Sequence, residues 1–136
     1  MMGDAKLVQF YFLSVMLNLL VGIMLAFNEN SVVSKIIDTK DRLFQLIVGL
    51  LALFVALIKM LSPMDGIPFF GDFLPFLAGL LGGASVLIQY FSTRSSEELV
   101  LPGLVQVVFV EGKLYIGAGC IFVSVLHFVF PFVLFL

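Results

Sequence analysis

The chain has 136 residues, of which 62% are hydrophobic and only 12% charged, with a formal net charge of -2. Soluble domains average about 45–50% apolar and roughly 25% charged residues, so this composition argues against a water-soluble globule, and the length allows one domain at most. The small negative charge, with no basic stripe, argues against a nucleic-acid partner. The single cysteine, Cys120, cannot close an intrachain disulfide.

A helix crosses about 30 Å of hydrocarbon with roughly 20 mostly apolar residues, and four stretches meet that length. The first is 7–27, closed by Asn28-Glu29-Asn30. Lys6 precedes it as in a signal peptide, but the apolar run exceeds the usual core of about 7–15 residues and no A-x-A site follows. We therefore read it as a retained span. Segment 31–42 sets Val32, Val33, Ile36 and Ile37 apart from Ser34, Lys35, Asp38 and Asp41. That spacing predicts an amphipathic helix on the membrane surface or an outward extension of the second span, 43–61.

Ser62 to Pro75, S-P-M-D-G-I-P-F-F-G-D-F-L-P, concentrates proline, glycine and aspartate between two apolar runs. Proline removes a backbone donor and glycine admits positive φ, so a Pro/Gly-rich hairpin is expected to turn the chain back into the membrane. Its S-P-M-D-G-I-P string is similar to the S-P-x-D-x-I-P turn of the YkvA-like small membrane-associated proteins, a resemblance that implies no activity. The third span, 73–91, is entered through Pro75 and ends at Ser92-Thr93-Arg94-Ser95-Ser96.

Segment 99–110 is apolar and β-branched, but Pro102-Gly103 interrupts it and Glu111-Gly112-Lys113 closes it. It is too short for a fifth span; an interfacial helix or shallow re-entrant segment is expected, with a two-stranded hairpin as the alternative. The fourth span is 114–136. Pro131 is expected to kink it and to free the carbonyl of His127 from its i→i−4 bond, leaving room for a local polar partner. The fold class is all-α: a polytopic integral membrane protein, 1–136, forming a four-helix transmembrane bundle.

Counting Lys and Arg sets the orientation. Lys35, Lys40, Arg42, Arg94 and Lys113 lie in the first and third loops, against Lys6 and Lys59 on the other side. Loops 28–42 and 92–113 should therefore be cytoplasmic and both termini outside, in a plasma or inner membrane.

Lipid tails are as apolar as leucine, so small and polar residues choose the packed face of each span. Such stripes are Tyr11, Ser14, Asn18 and Gly22; Gln45, Gly49, Ala52, Ala56 and Lys59; Ala78, Gly82, Ser85 and Gln89; and Gly117, Cys120, Ser124 and His127. Gly79 and Gly83 add a G-x-x-x-G, expected to pack within the chain more readily than across a homodimer. At about 1.5 Å per residue, Asn18 and Ser124 share one depth, Ser14 and His127 another, and Gln45 and Gln89 sit near the cytoplasmic face. Interhelical polar contacts are expected at these levels.

His127 is the one ionisable side chain well inside a span, which marks it for a proton relay or a ligand; the plainer reading is a neutral histidine bonded to a neighbouring helix. A metal or haem would want more donors than one His and one Cys, so no cofactor or metal is expected. Asp65 and Asp72 suit a cation at the hairpin, but turn and cap chemistry explains them as well, and Lys59 can pair with either. The absence of a Ser/His/Asp set, a P-loop or a dinucleotide fingerprint argues against an enzyme. Two functions remain: a non-catalytic accessory or scaffold subunit of a membrane complex, or a homo-oligomeric small channel or transporter with a polar path along His127, Asn18 and Ser124. Both have the lipid bilayer as partner, the first with another membrane protein and the second with further copies of the chain. Small multidrug exporters are built around a membrane glutamate that the first span lacks, and four-span fluoride channels around a glycine–arginine break that the third span lacks.

Overall fold

A computed structural model of the chain describes residues 2–27, 32–36, 41–61, 71–94 and 100–130. The part of the expected hairpin over 62–70, with Asp65, the connections at 28–31 and 37–40, and Pro131 lie outside those residues. Among the described residues every regular element is helical: α1 (Met2–Ala26), α2 (Val32–Ile36), α3 (Arg42–Leu61), α4 (Phe73–Arg94), α5 (Gly103–Val105), a π-helical segment (Gln106–Glu111) and α6 (Lys113–Val129).

Helix ends follow local chemistry. The Leu43 N–H donates to the Asp41 carboxylate at 3.0 Å, and the Asp41 carbonyl accepts the first helical bond from Gln45 at 2.9 Å. Asp41 is thus the N-cap of α3. The Asp72 carbonyl accepts from Phe76 at 3.0 Å and opens α4. Pro75 falls in the first turn of α4, where its missing donor would have had no intrahelical acceptor anyway. Helix α6 stops at Val129, because Phe130 (φ −124°, ψ 69°) immediately precedes Pro131 and a residue before proline is pushed out of the α region. The kinked continuation expected beyond Pro131 lies outside the described residues.

The piece over 103–111 is helical, so the two-stranded alternative does not hold. It widens to π geometry, with Gly112 N–H donating to the Val107 carbonyl at 2.9 Å. A Cβ on Gly112 would stand 2.6 Å from the Val108 carbonyl oxygen, so the bend needs glycine there. Beyond it α6 leaves at 56°.

Three helical stretches, Val8–Ala26, Arg42–Leu61 and Phe73–Ser92, are long and apolar enough to cross a membrane. The bent pair Gly103–Glu111 and Lys113–Val129 makes a fourth if it counts as one span. Helices α1 and α4 hold the middle, each touching α3 and α6 as well as one another. Gly22 meets Gly117 while Tyr11 meets His127, so α1 and α6 run antiparallel; α3 and α4 do likewise, with Gly49 at Gly83 and Ala56 at Gly79. Asn18 reaches Pro75 and Val21 meets Gly82, so α1 and α4 run in the same sense.

The burial pattern is the reverse of a water-soluble bundle. Helix α3 buries Gln45, Val48, Gly49, Ala52, Val55, Ala56 and Lys59 along one stripe. It turns Leu43, Ile47, Leu50, Phe54 and Leu57 outward. Across the fold Met16 (67%) and Phe122 (65%) are exposed while Ser85 and His127 are fully buried. Polar groups hydrogen-bonded inside and large apolar groups outside are what a hydrocarbon solvent selects.

Candidate functional site

Four helices converge on one buried polar cluster. Lys59 ends the polar stripe of α3 and Asp72 stands at the head of α4, so the chain reversal between those helices brings them together. Lys59 Nζ lies 2.7 Å from Asp72 Oδ2, and neither side chain is more than 1% exposed. His127, in the last turn of α6, places Nε2 3.9 Å from the other carboxylate oxygen, Oδ1. That separation is too long for a hydrogen bond, yet it leaves the carboxylate between two bases.

Tyr11 of α1 completes the cluster. Its hydroxyl donates to the carbonyls of His127 at 2.9 Å and Phe128 at 3.1 Å. Those carbonyls belong to the last turn of α6, where no intrahelical donor follows, and position 131 is a proline. The partner expected for the freed His127 carbonyl is therefore Tyr11. The Tyr11 ring meets the imidazole edge-on at 4.8 Å and lies 5.8 Å from Lys59 Nζ, within reach of a cation–π contact.

Deeper in the bundle, polar side chains tie neighbouring helices by their backbones. Ser124 Oγ donates to the Val15 carbonyl at 2.8 Å and Asn18 Nδ2 to the Pro75 carbonyl at 3.2 Å. Cys120 Sγ reaches the Ala78 carbonyl at 3.3 Å, and Ser85 Oγ donates to Phe109 in the π-helical segment at 2.9 Å. Ser14 is buried on the same face of α1. Glycines make these approaches possible. A Cβ on Gly79 would lie 3.2 Å from Asn18 Oδ1, and one on Gly82 would lie 2.8 Å from Cys120 Sγ. Gly79 and Gly83 face Ala56, Ala52 and Gly49 of α3, so the G-x-x-x-G packs within the chain.

Of the residues singled out in the sequence, Lys59, Asp72 and His127 come together at one end of the bundle. Asn18, Ser14 and Ser124 lie deeper, and Asp65 lies outside the described residues. Tyr11 was counted only among the packing residues of α1. The signal that pointed to it was the proline at position 131 and the carbonyl it frees. Among the described residues no group of three His, Cys, Asp or Glu side chains is arranged to hold a metal ion. Outside the cluster, an open groove of about 310 Å³ runs between α4 and α6, walled by apolar side chains such as Leu77, Leu81 and Val123.

Fold and site together define an all-helical protein with three to four helices suited to a membrane, held at one end by a buried ion pair. The chain belongs to a protein family of unknown function, whose sequence pattern matches residues 7–127. No curated protein and no solved structure matches it.

Proposed function

We propose that the protein is a non-catalytic integral membrane protein, a four-span bundle that serves as an accessory or scaffold subunit of a membrane complex. The observation that carries this reading is the use made of its deep polar side chains. Ser124, Asn18, Cys120 and Ser85 each direct a donor to a backbone carbonyl of a neighbouring segment. Groups used in this way clamp helices together; they do not line a route for an ion. The outer faces, rich in Phe, Leu and Met, are left to lipid and to a partner's helices. In this arrangement the bent pair over 103–129 is the fourth crossing, both basic loops are cytoplasmic, and the cluster of Tyr11, Lys59, Asp72 and His127 lies toward the outer face.

The test is gentle solubilisation from native membranes, followed by particle mass and identification of the proteins that stay bound. A stoichiometric second membrane protein is the expected result. A particle made of this chain alone, together with ion or solute flux through proteoliposomes that His127→Ala removes, would replace the scaffold reading with that of a small oligomeric channel or transporter.

A further inference from the structure

We propose that the groove between α4 and α6 holds one tail of a phospholipid whose headgroup is zwitterionic with a primary amine, as in phosphatidylethanolamine, and that Glu111 and Lys113 hold that headgroup. The proposal needs the chain to lie in a bilayer and does not depend on the scaffold reading. The groove is about 310 Å³ and its α6 wall runs from Tyr115 to Val123. Those eight steps along the helix cover about 12 Å at about 1.5 Å per residue, close to the depth of one leaflet, about half of a hydrocarbon core of about 30 Å. One end of the groove lies at the level where the bundle meets the surface. Gly117 packs on Ala26, the last residue of α1, and α6 begins one turn further out at Lys113. The groove therefore starts near the headgroups and runs inward through a single leaflet, the path of an acyl chain.

Helical spacing sets Lys113 over that end. Lys113, Ile116, Cys120 and Val123 recur at i, i+3, i+7 and i+10 and so share one face of α6, and the last three line the groove. Side chains on a helix lean toward its N-terminus, which carries the Lys113 ammonium beyond the groove to the level of a lipid phosphate. Tyr115, 80% exposed at the same end, adds a hydroxyl in the interfacial zone where tyrosines collect. Glu111 is exposed on the other side of the bend at Gly112. Among the described residues neither Glu111 nor Lys113 is in an ion pair. One carboxylate and one ammonium at the mouth complement a headgroup that carries one ammonium and one phosphate, whereas a purely anionic headgroup would meet Glu111 with like charge. A primary ammonium also donates charge-assisted hydrogen bonds to the Glu111 carboxylate; the methylated ammonium of a choline headgroup has no N–H to give.

Native mass spectrometry of the full chain tests this, after reconstitution into nanodiscs of equimolar phosphatidylethanolamine, phosphatidylcholine and phosphatidylglycerol with identical tails and release into mild detergent. One retained phosphatidylethanolamine per chain is expected, favoured about five-fold over either other lipid, the weight of one charged contact at a membrane surface. Gly119 lines the groove and nothing lies within 4 Å of its Cβ position. Gly119→Leu should therefore fold, as thermal unfolding would show, and lose retained lipid of every kind. Glu111→Gln/Lys113→Gln, at two exposed positions, should keep a lipid and lose the preference. Equal retention of the three lipids by the wild type, a preference for phosphatidylglycerol, or undiminished retention by Gly119→Leu overturns the site. Should Gly119→Leu not fold, the double variant decides, because an unchanged preference there overturns the site as well. A chain that does not enter nanodiscs overturns the membrane reading and the site with it.

Discussion

Asp72, the buried carboxylate that faces Lys59 at 2.7 Å, is the residue whose removal should be felt most. Taking away Asp72 leaves the Lys59 ammonium without its carboxylate in a buried site, a loss of about 3–5 kcal/mol, whereas replacing both with uncharged groups of similar volume is often close to neutral. Asp72→Ala is therefore expected to lower stability far more than Lys59→Met/Asp72→Asn. Cys120 supplies the readout, since it is the single cysteine and is 1% exposed; a thiol-reactive fluorophore added during heating in detergent reports unfolding. By the same assay Ser124→Ala should lose only about 0.6 kcal/mol and at most about 2, because its bond to Val15 is one contact among many. That Lys59 would meet an aspartate was legible from its place one turn before the hairpin. That Asp72 would stand 2.7 Å from it was not, because Asp65 and Asp72 offer the same chemistry in the sequence.

At the scale of elements, the close contacts of α1 with α6 rest on two glycines. A Cβ on Gly22 would stand 2.6 Å from Ile121 Cγ1 and 2.8 Å from the Gly117 carbonyl, and one on Gly117 would stand 2.7 Å from the Ala26 nitrogen. Backbone atoms cannot swing aside, so Gly22→Ala and Gly117→Ala should each destabilise by about 1–3 kcal/mol. Gly119 is the control: nothing lies within 4 Å of its Cβ position, and Gly119→Ala should be neutral or stabilising by up to about 1 kcal/mol through helix propensity. Thermal unfolding of the three variants side by side distinguishes packing from propensity. Small-residue stripes at helical spacing made these faces visible in advance. They did not say that Gly22 would oppose Gly117, nor that Gly79 and Gly83 would oppose α3, since every span offers a similar stripe. The π widening at 106–111 left no sequence signature apart from the Pro102 and Gly112 that bound it.

For the molecule as a whole, the decisive property is a surface that hydrocarbon would wet. The purified chain is expected to need detergent or lipid to remain monodisperse, and size-exclusion chromatography after detergent removal checks this; a single sharp peak in plain buffer would contradict it. The antiparallel arrangement of α1 with α6 places the start of the first span and the end of the last at one end of the bundle. Cysteines introduced near residues 6 and 130 in a Cys120→Ala background should therefore react with an impermeant thiol reagent from the same side of a sealed membrane. Labelling from opposite sides would mean that the bent pair does not cross.

By itself the sequence determined the all-helical class, the long helices apolar enough to cross a membrane and the packed face of each. Each of these depends on local quantities: how long an apolar run is, where its small and polar residues recur, and where proline breaks it. The tertiary structure alone decided that Tyr11, Lys59, Asp72 and His127 share one site, and that Ser124 and Asn18 bond to backbone and not to one another. Such pairings depend on how four helices of nearly equal apolarity are rotated and offset. Those choices rest on close contacts between glycines and their neighbours on other helices, which no single helix carries in its own residues.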